Sequence, residues 1–221
     1  MKFDVAYFLQ ILPLVASQLN ITLALTGIAT VFSLLLGLLF ALIAYYRVPL
    51  LSQLLKVWVA FMRSTPALVQ LLFFYYGLAR VSQLILEMDP VVAVAVVMSL
   101  NMGAFMSESM RAALMSVDVG QHEAAMSLGM NGFQLTTRIV IPQAFRVAVP
   151  PLFNDLVNLF KMTSLAYLIG LQDVMGAAKI QMSISFKFFE CYACVMVVYL
   201  VVGVILTIVQ KQIEKRFATA Y

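Results

Sequence analysis

Two groups of polar residues lie in stretches that are otherwise apolar, and their spacing gives them a possible chemistry. Asn101 and Glu108 are seven residues apart, so on a helix they share a face, with Arg111 one turn beyond Glu108. Asn154, Asn158 and Lys161 follow the i, i+4, i+7 pattern of a single helical stripe, with Asp155 at its edge. Amides, carboxylates and an ammonium facing one space would line a hydrophilic path, and a small zwitterion would meet both signs of charge there. A structural role fits the same residues, because ionisable groups in lipid either mark a pathway or pair with one another. Glu108 and Arg111 suit pairing, and the Asn154/Asn158/Lys161 stripe suits a path or a subunit interface. Arg63 allows two readings, a place at the inner mouth or snorkelling to the headgroups.

Two other patterns lead nowhere. His122-Glu123-Ala124-Ala125-Met126 has methionine where a zinc hydrolase needs its second histidine, and His122 is the sole histidine of the sequence. Cys191-x-x-Cys194 opens an apolar segment and has no second ligand pair, so two small side chains packed in a helix is the better reading. No phosphate-binding Gly-x-x-x-x-Gly-Lys-Ser/Thr loop occurs, so the sequence supplies no nucleotide chemistry of its own.

The setting of these residues follows from composition. Of 221 residues, 63% are apolar and 11% charged, and the mean hydropathy is +0.99. Soluble domains run about 45–50% apolar and about 25% charged. That deficit of charge excludes a water-facing globular surface and a disordered chain. The 14 basic residues form no stripe, which argues against nucleic acid as a partner. An all-α integral membrane protein remains, a single transmembrane domain over 1–221, because the apolar runs are continuous rather than alternating as barrel strands would be.

Charges and prolines divide the chain. No charged residue falls between Asp4 and Arg47, a run too long for one span. Residues 1–18 are expected to form a short interfacial helix, with a cleavable signal peptide as the rival reading; Lys2 balanced by Asp4 makes a poor basic leader. About five spans follow, at 21–46, 57–78, 90–113, 149–171 and 191–210. Loop charge orients them. Arg47, Lys56, Arg111, Arg138, Arg146, Lys211, Lys215 and Arg216 fall on one side, against Lys2, Arg80, Lys179 and Lys187 on the other. The expectation is N-out, C-in. Gly27, Gly37, Ala29, Ala41 and Ala44 suit close helix packing, and the 14 methionines suit irregular gaps between helices.

The polar stretch 116–146 then lies on the inside. It reads as a helix–turn–helix broken at Gly129, with Leu135, Ile139 and Phe145 as an apolar face and Pro142 bending or ending the second helix. Glu123-Ala124-Ala125, then Gly129, then Ile139-x-Ile141-Pro142 resembles the EAA loop of ABC-importer permease subunits, with Ile141 where leucine is usual. Arg63-Ser64-Thr65-Pro66, Gln70 and Tyr75-Tyr76-Gly77 are similar to a segment of the polar amino acid uptake branch, with serine in place of glycine. Glu108-x-x-Arg111-Ala112-Ala113, Gly120-Gln121 and Lys161-x-Thr163-Ser164-Leu165 continue the likeness, with Met162 where aspartate is common.

The resemblance implies a non-enzymatic transport subunit in a bacterial inner membrane, carrying a polar amino acid such as cystine or a basic or amide amino acid. It implies that Glu123, Ala124, Ala125, Gly129, Ile139 and Pro142 dock a cytoplasmic ABC ATPase dimer, which holds the ATP and magnesium. A second permease subunit, identical or paralogous, and an extracytoplasmic solute-binding protein complete the expected assembly. The alternative is an ATP-independent secondary transporter, disfavoured because no internal repeat is visible.

Overall fold

The computed structural model describes residues 3–218, in which every regular element is helical; Lys2 lies outside the described residues. The α-helices are α1 (Val5–Ala16), α2 (Leu19–Tyr45), α3 (Leu51–Ser64), α4 (Ala67–Leu72), α5 (Gln83–Leu86), α6 (Pro90–Met115), α7 (Val119–Ser127), α8 (Gly132–Leu135), α9 (Ile141–Met162), α10 (Val174–Ser185) and α11 (Phe188–Ala218). Three stretches among the described residues, Leu19–Tyr45, Pro90–Met115 and Phe188–Arg216, are long and apolar enough to cross a bilayer.

The other two expected spans differ in form. The second is a pair of helices, Leu51–Ser64 and Ala67–Arg80, bent by 107° at Pro66. Length and composition alone therefore give three or four crossings. Proline has no N–H to offer the carbonyl four residues back and disfavours a helical residue before it; Thr65 is accordingly extended. The fourth expected span, 149–171, is the end of α9 followed by a 3₁₀ stretch, Thr163–Ile169, closed by Gly170 at φ +88°. Residues 172–189, read as loop, contain α10. Asp173 caps α10 by accepting the Gly176 N–H at 2.8 Å, a local signal hidden in a moderately polar stretch.

The core forms around α6. Two-thirds of its most apolar window is buried, against 22% for α2 and α11, whose outer faces are left for lipid. Asp89 accepts the Val91 N–H and Pro90 supplies the first helical residue, so α6 starts abruptly. Its Val94, Met98, Met102 and Met106 are buried against Leu25 and Ala29 of α2 and Leu159 of α9. Helices α2 and α6 approach closely at Gly37, where a Cβ would stand 3.0 Å from the Met106 Cβ and 3.2 Å from the Ser107 nitrogen. Gly103 makes the reciprocal contact, 3.1 Å from the Leu36 Cβ. Small residues let the backbones meet, the dispersion-driven packing that holds helices together in lipid. Gly27, expected to do the same, faces nothing within 4 Å.

A second cluster ties α1 to α10 and α11 through Ile11, Val15, Val174, Met182, Cys191 and Cys194. Both cysteines are free and buried, as packing residues would be. Asp4 accepts the Tyr7 N–H and pairs with Lys187 at 2.7 Å, while its own N–H donates to Glu190 at 2.8 Å. The Lys187 ammonium beside it holds the Asp4 carboxyl below the ordinary carboxylate range. Helix α1 thus rests on two neighbours and is clamped at its start.

Candidate functional site

The polar stretch after α6 folds into a compact hook. Asp118 accepts the Gly120 N–H at 2.7 Å and starts α7. The helix ends in a complete Schellman turn: the Met130 N–H donates to the Ala125 carbonyl at 3.1 Å and the Gly129 N–H to Met126 at 3.0 Å. Gly129 sits at φ +74°, the left-handed region that a Cβ disfavours. Asn131 and Gln134 then exchange side-chain-to-backbone hydrogen bonds in a capping box that starts α8. The capping box begins at Asn131, directly after Met130, which makes the reversal sharp.

The second arm is one continuous helical path rather than a short helix ended by Pro142. After α8 the turn widens to π geometry over Thr136–Val140, with the Ile141 N–H reaching back to the Thr136 carbonyl. Pro142 follows in the first turn of α9, where its missing N–H costs least. The buried face is Thr136, Val140, Ala144 and Ala148, not the expected Leu135, Ile139 and Phe145. Leu135 and Ile139 are half-buried and Phe145 is exposed, because the arm leans its small residues against the ends of α2 and α6.

The hook leaves Glu123, Ala124 and Gly129 exposed and buries Ala125. Leu128 and Phe133 are 79% and 76% exposed, and Met126 and Val119 are exposed as well, so the polar loop carries four exposed large apolar side chains.

The membrane-embedded polar residues are divided among a clamp, a cavity that adjoins it and a separate open groove. At the Pro66 break, the Met62 carbonyl is the group that loses its helical donor. The Gln70 amide reaches it at 3.0 Å and the Asn101 amide at 3.1 Å, and Asn101 also donates to Gln70 Oε1 at 2.9 Å. Gln70 donates further to Thr65 Oγ1 at 2.7 Å. The buried Asn101 therefore spends both amide hydrogens as the clamp of a broken helix. Unsatisfied backbone groups in lipid cost several kcal/mol, and re-satisfaction by side chains is what permits such a break.

Beside this clamp is a cavity of about 230 Å³ lined by Thr65, Asn101, Phe105, Asp155, Asn158 and Met162. Asp155 accepts a hydrogen bond from Ser109 at 3.0 Å. Glu108 is held by Arg111 in a two-pronged pair at 2.8 and 3.1 Å, and Arg63 approaches to 3.8 Å while lying over the Phe105 ring. The geometry has Glu108 and Arg111 paired, with Arg63 as a third member lying over Phe105, a residue of the cavity lining.

The stripe on α9 is divided. Asn158 reaches the cavity, whereas Asn154 accepts from Gln210 of α11 at 3.2 Å. Lys161 lines a different, open groove of about 710 Å³ between α9 and α11, with Ser164, Tyr199 and Thr207. Asn154, Asn158 and Lys161 are all exposed on this chain. Ser109 and Gln210 carried no sequence signal, since each acts through a partner distant in sequence. Gln70 was visible only as part of a family-like segment.

Comparison with known proteins converges. The family model described as binding-protein-dependent transport system inner membrane component matches residues 33–219. A probable amino-acid ABC transporter permease protein, PatM, of Vibrio harveyi is 39% identical over the whole of this chain and 99% of its own length. The L-cystine transport system permease protein TcyL of Bacillus subtilis is 36% identical over 97% of this chain and 91% of its own. A crystal structure of an amino acid ABC transporter with histidines superposes with a TM-score of 0.89 at 30% identity, covering 98% of this chain and all of the matched one.

Proposed function

The chain belongs to the family of binding-protein-dependent transport system inner membrane components, and on that premise we propose how its two polar regions divide the work of an ATP-driven importer. It is a multi-pass inner-membrane permease subunit of an amino acid ABC importer, and its family works with an ATPase and with a further permease or binding-protein partner. The ATP-independent alternative is set aside.

The hook is the ATPase-coupling element. Glu123, Ala124 and Gly129 present its outer face, Ala125 seats it, and Ile139 and Pro142 fix the second arm. The single observation that carries this reading is the rigid Schellman-and-capping-box turn with Leu128 and Phe133 exposed beside it. A separate cytoplasmic ABC ATPase dimer, holding ATP and magnesium, would receive it and turn closure of its subunits into movement of the spans. With eight basic residues on the hook side, the chain is oriented N-out and C-in.

The cavity, with Asp155 and Asn158, is this subunit's half of the path, and Glu108 with Arg63 and Arg111 forms its charged mouth. Asn101 lies on its wall. The exposed Asn154/Asn158/Lys161 stripe gives the reason for a second permease subunit. A lysine facing lipid near the middle of a span costs about 2.5–3.5 kcal/mol even on insertion scales. Covering the stripe with an identical or paralogous chain places these groups in a water-filled seam where a zwitterion meets both signs. Solute delivered by an extracytoplasmic binding protein would enter there. A polar amino acid, cystine or a basic or amide one, is the proposed cargo.

The experiment is ATP-driven uptake in proteoliposomes containing the permease, its ATPase and its binding protein, with labelled L-cystine, L-arginine and L-glutamine. Gly129→Asp, which adds charge and a left-handed Cβ at the turn, is expected to lower uptake at least tenfold while ATP hydrolysis persists. Normal assembly and normal uptake by this variant would remove the coupling role from the hook.

A further inference from the structure

We propose that Tyr45 and Tyr46, at the cytoplasmic end of α2, are the positioning residues through which the hook moves the spans. The proposal rests on the permease reading above and adds a specific mechanical route to it.

The two tyrosines are consecutive, yet their hydroxyls hold different arms of the hook. The Tyr45 hydroxyl is 3.1 Å from His122 Nε2, in the first turns of α7. His122 Nδ1 is 3.2 Å from the Asp118 carbonyl, which only accepts, so Nδ1 donates there and Nε2 is left to pair with the Tyr45 hydroxyl. The Tyr46 hydroxyl makes a short hydrogen bond with Thr136 Oγ1, at the start of the π turn in the second arm. The two rings meet edge to face, with centroids 5.3 Å apart, which resists independent rotation. One end of one span thereby grips both sides of the Gly129 reversal.

The grip continues inward. Ala41 and Leu42 of α2 pack with Val140 and Ala144 of the second arm and with Ala113 and Leu114 of α6. One turn further along α2, Gly37 locks against Met106. Helix α6 in turn carries Asn101, Phe105 and Glu108 to the cavity and its mouth. A displacement of the hook thus reaches the path through α2 and α6 packed as a unit, because close-packed helices pass on strain rather than absorb it. The hydroxyls sit at the joint between hook and unit, where a hydrogen bond fixes direction as well as distance.

The test uses the reconstituted complex of permease, ATPase and binding protein, with uptake and ATP hydrolysis measured on the same vesicles. Tyr45→Phe and Tyr46→Phe keep both rings and remove only the hydroxyls. Loss of one such hydrogen bond is expected to lower uptake per ATP about fivefold, and the double variant more, with ATPase co-purification unchanged. Thr136→Val removes the other side of the Tyr46 bond, so Tyr46→Phe and Thr136→Val together are expected to do no more than either alone. Unchanged uptake per ATP in the double tyrosine variant would overturn the link. Multiplying losses for Tyr46→Phe with Thr136→Val would also overturn it, as would failure of the phenylalanine variants to assemble, which would make the tyrosines merely structural. Wild-type vesicles without ATP-dependent uptake would bring down the permease reading itself, and the link with it.

Discussion

The hook and the cavity are built in opposite ways. Every bond that shapes the hook's reversal joins residues three to five apart: Met130 to Ala125, Gly129 to Met126, Gln134 with Asn131. The cavity is closed by partners far apart in sequence, Asn101 with Gln70, Asn101 with Met62 and Ser109 with Asp155. The hook exposes large apolar groups and buries little, whereas the clamp at the cavity wall buries the amides of Gln70 and Asn101 and bonds them to each other and to Met62. The proposed coupling role asks of the hook a rigid local shape and a free face. The proposed path asks of the cavity polar groups that hold their own geometry until a solute arrives, since unsatisfied backbone groups are costly in lipid.

This contrast predicts that damage to the cavity wall lowers stability, and that damage to the hook lowers coupling with little loss of stability. The largest effect on stability is expected from Gln70→Leu. It removes the donor to Met62 and Thr65 and leaves the Asn101 amide with one acceptor. A loss of about 2–3 kcal/mol is expected, read as a lowered thermal midpoint in detergent. An unchanged midpoint would mean that the break at Pro66 is held by packing alone.

Asp173 extends the comparison to a buried carboxylate outside the spans. It is fully buried, its Oδ2 lacks a hydrogen-bond partner, and burial pushes its carboxyl up to about 6 from an ordinary 3.8. The folded state thus holds the proton more tightly than the unfolded one. The resulting stabilisation is complete below about pH 3.8 and is lost as pH rises through about 6. Asp173→Asn keeps a side-chain oxygen for the cap and removes the titration. Its advantage over wild type should grow between pH 4 and pH 6.5 by roughly 2 kcal/mol, then level off. Parallel pH profiles for the two proteins would contradict the buried-charge argument.

The smallest loss of stability is expected in the hook. Gly129→Ala meets open space but must hold a left-handed backbone, costing about 1 kcal/mol. Uptake per ATP should fall less than in Gly129→Asp, because no charge is added. A midpoint drop as large as that of Gln70→Leu would erase the distinction between the two regions.

The same contrast explains what could be read in advance. The hook's reversal was legible at Gly129 because its signal is local, the bonds there joining residues within five of one another. Even there the buried face was misassigned, since the ends of α2 and α6, which it packs against, are far away in sequence. Apolar runs were legible because lipid demands them. The break in the second span was not. Pro66 stood near its start, but whether a proline kinks a helix mildly or turns it by 107° depends on whether side chains elsewhere can satisfy the freed carbonyl. Asn101 carried that answer, and in the sequence it looked like a path residue.

The sequence by itself therefore determined the solvent, the family and the local shape of the hook. Composition makes lipid the environment, and the hook is coded over a few turns of chain. Only the tertiary structure decided which polar residues face a cavity, which pair and which clamp. Asp155 and Asn158 open onto one space, Lys161 onto another, and Asn101 is spent on a carbonyl. Helical periodicity fixes the face of a residue relative to its own axis. What stands opposite that face is set by the packing of helices far apart in sequence.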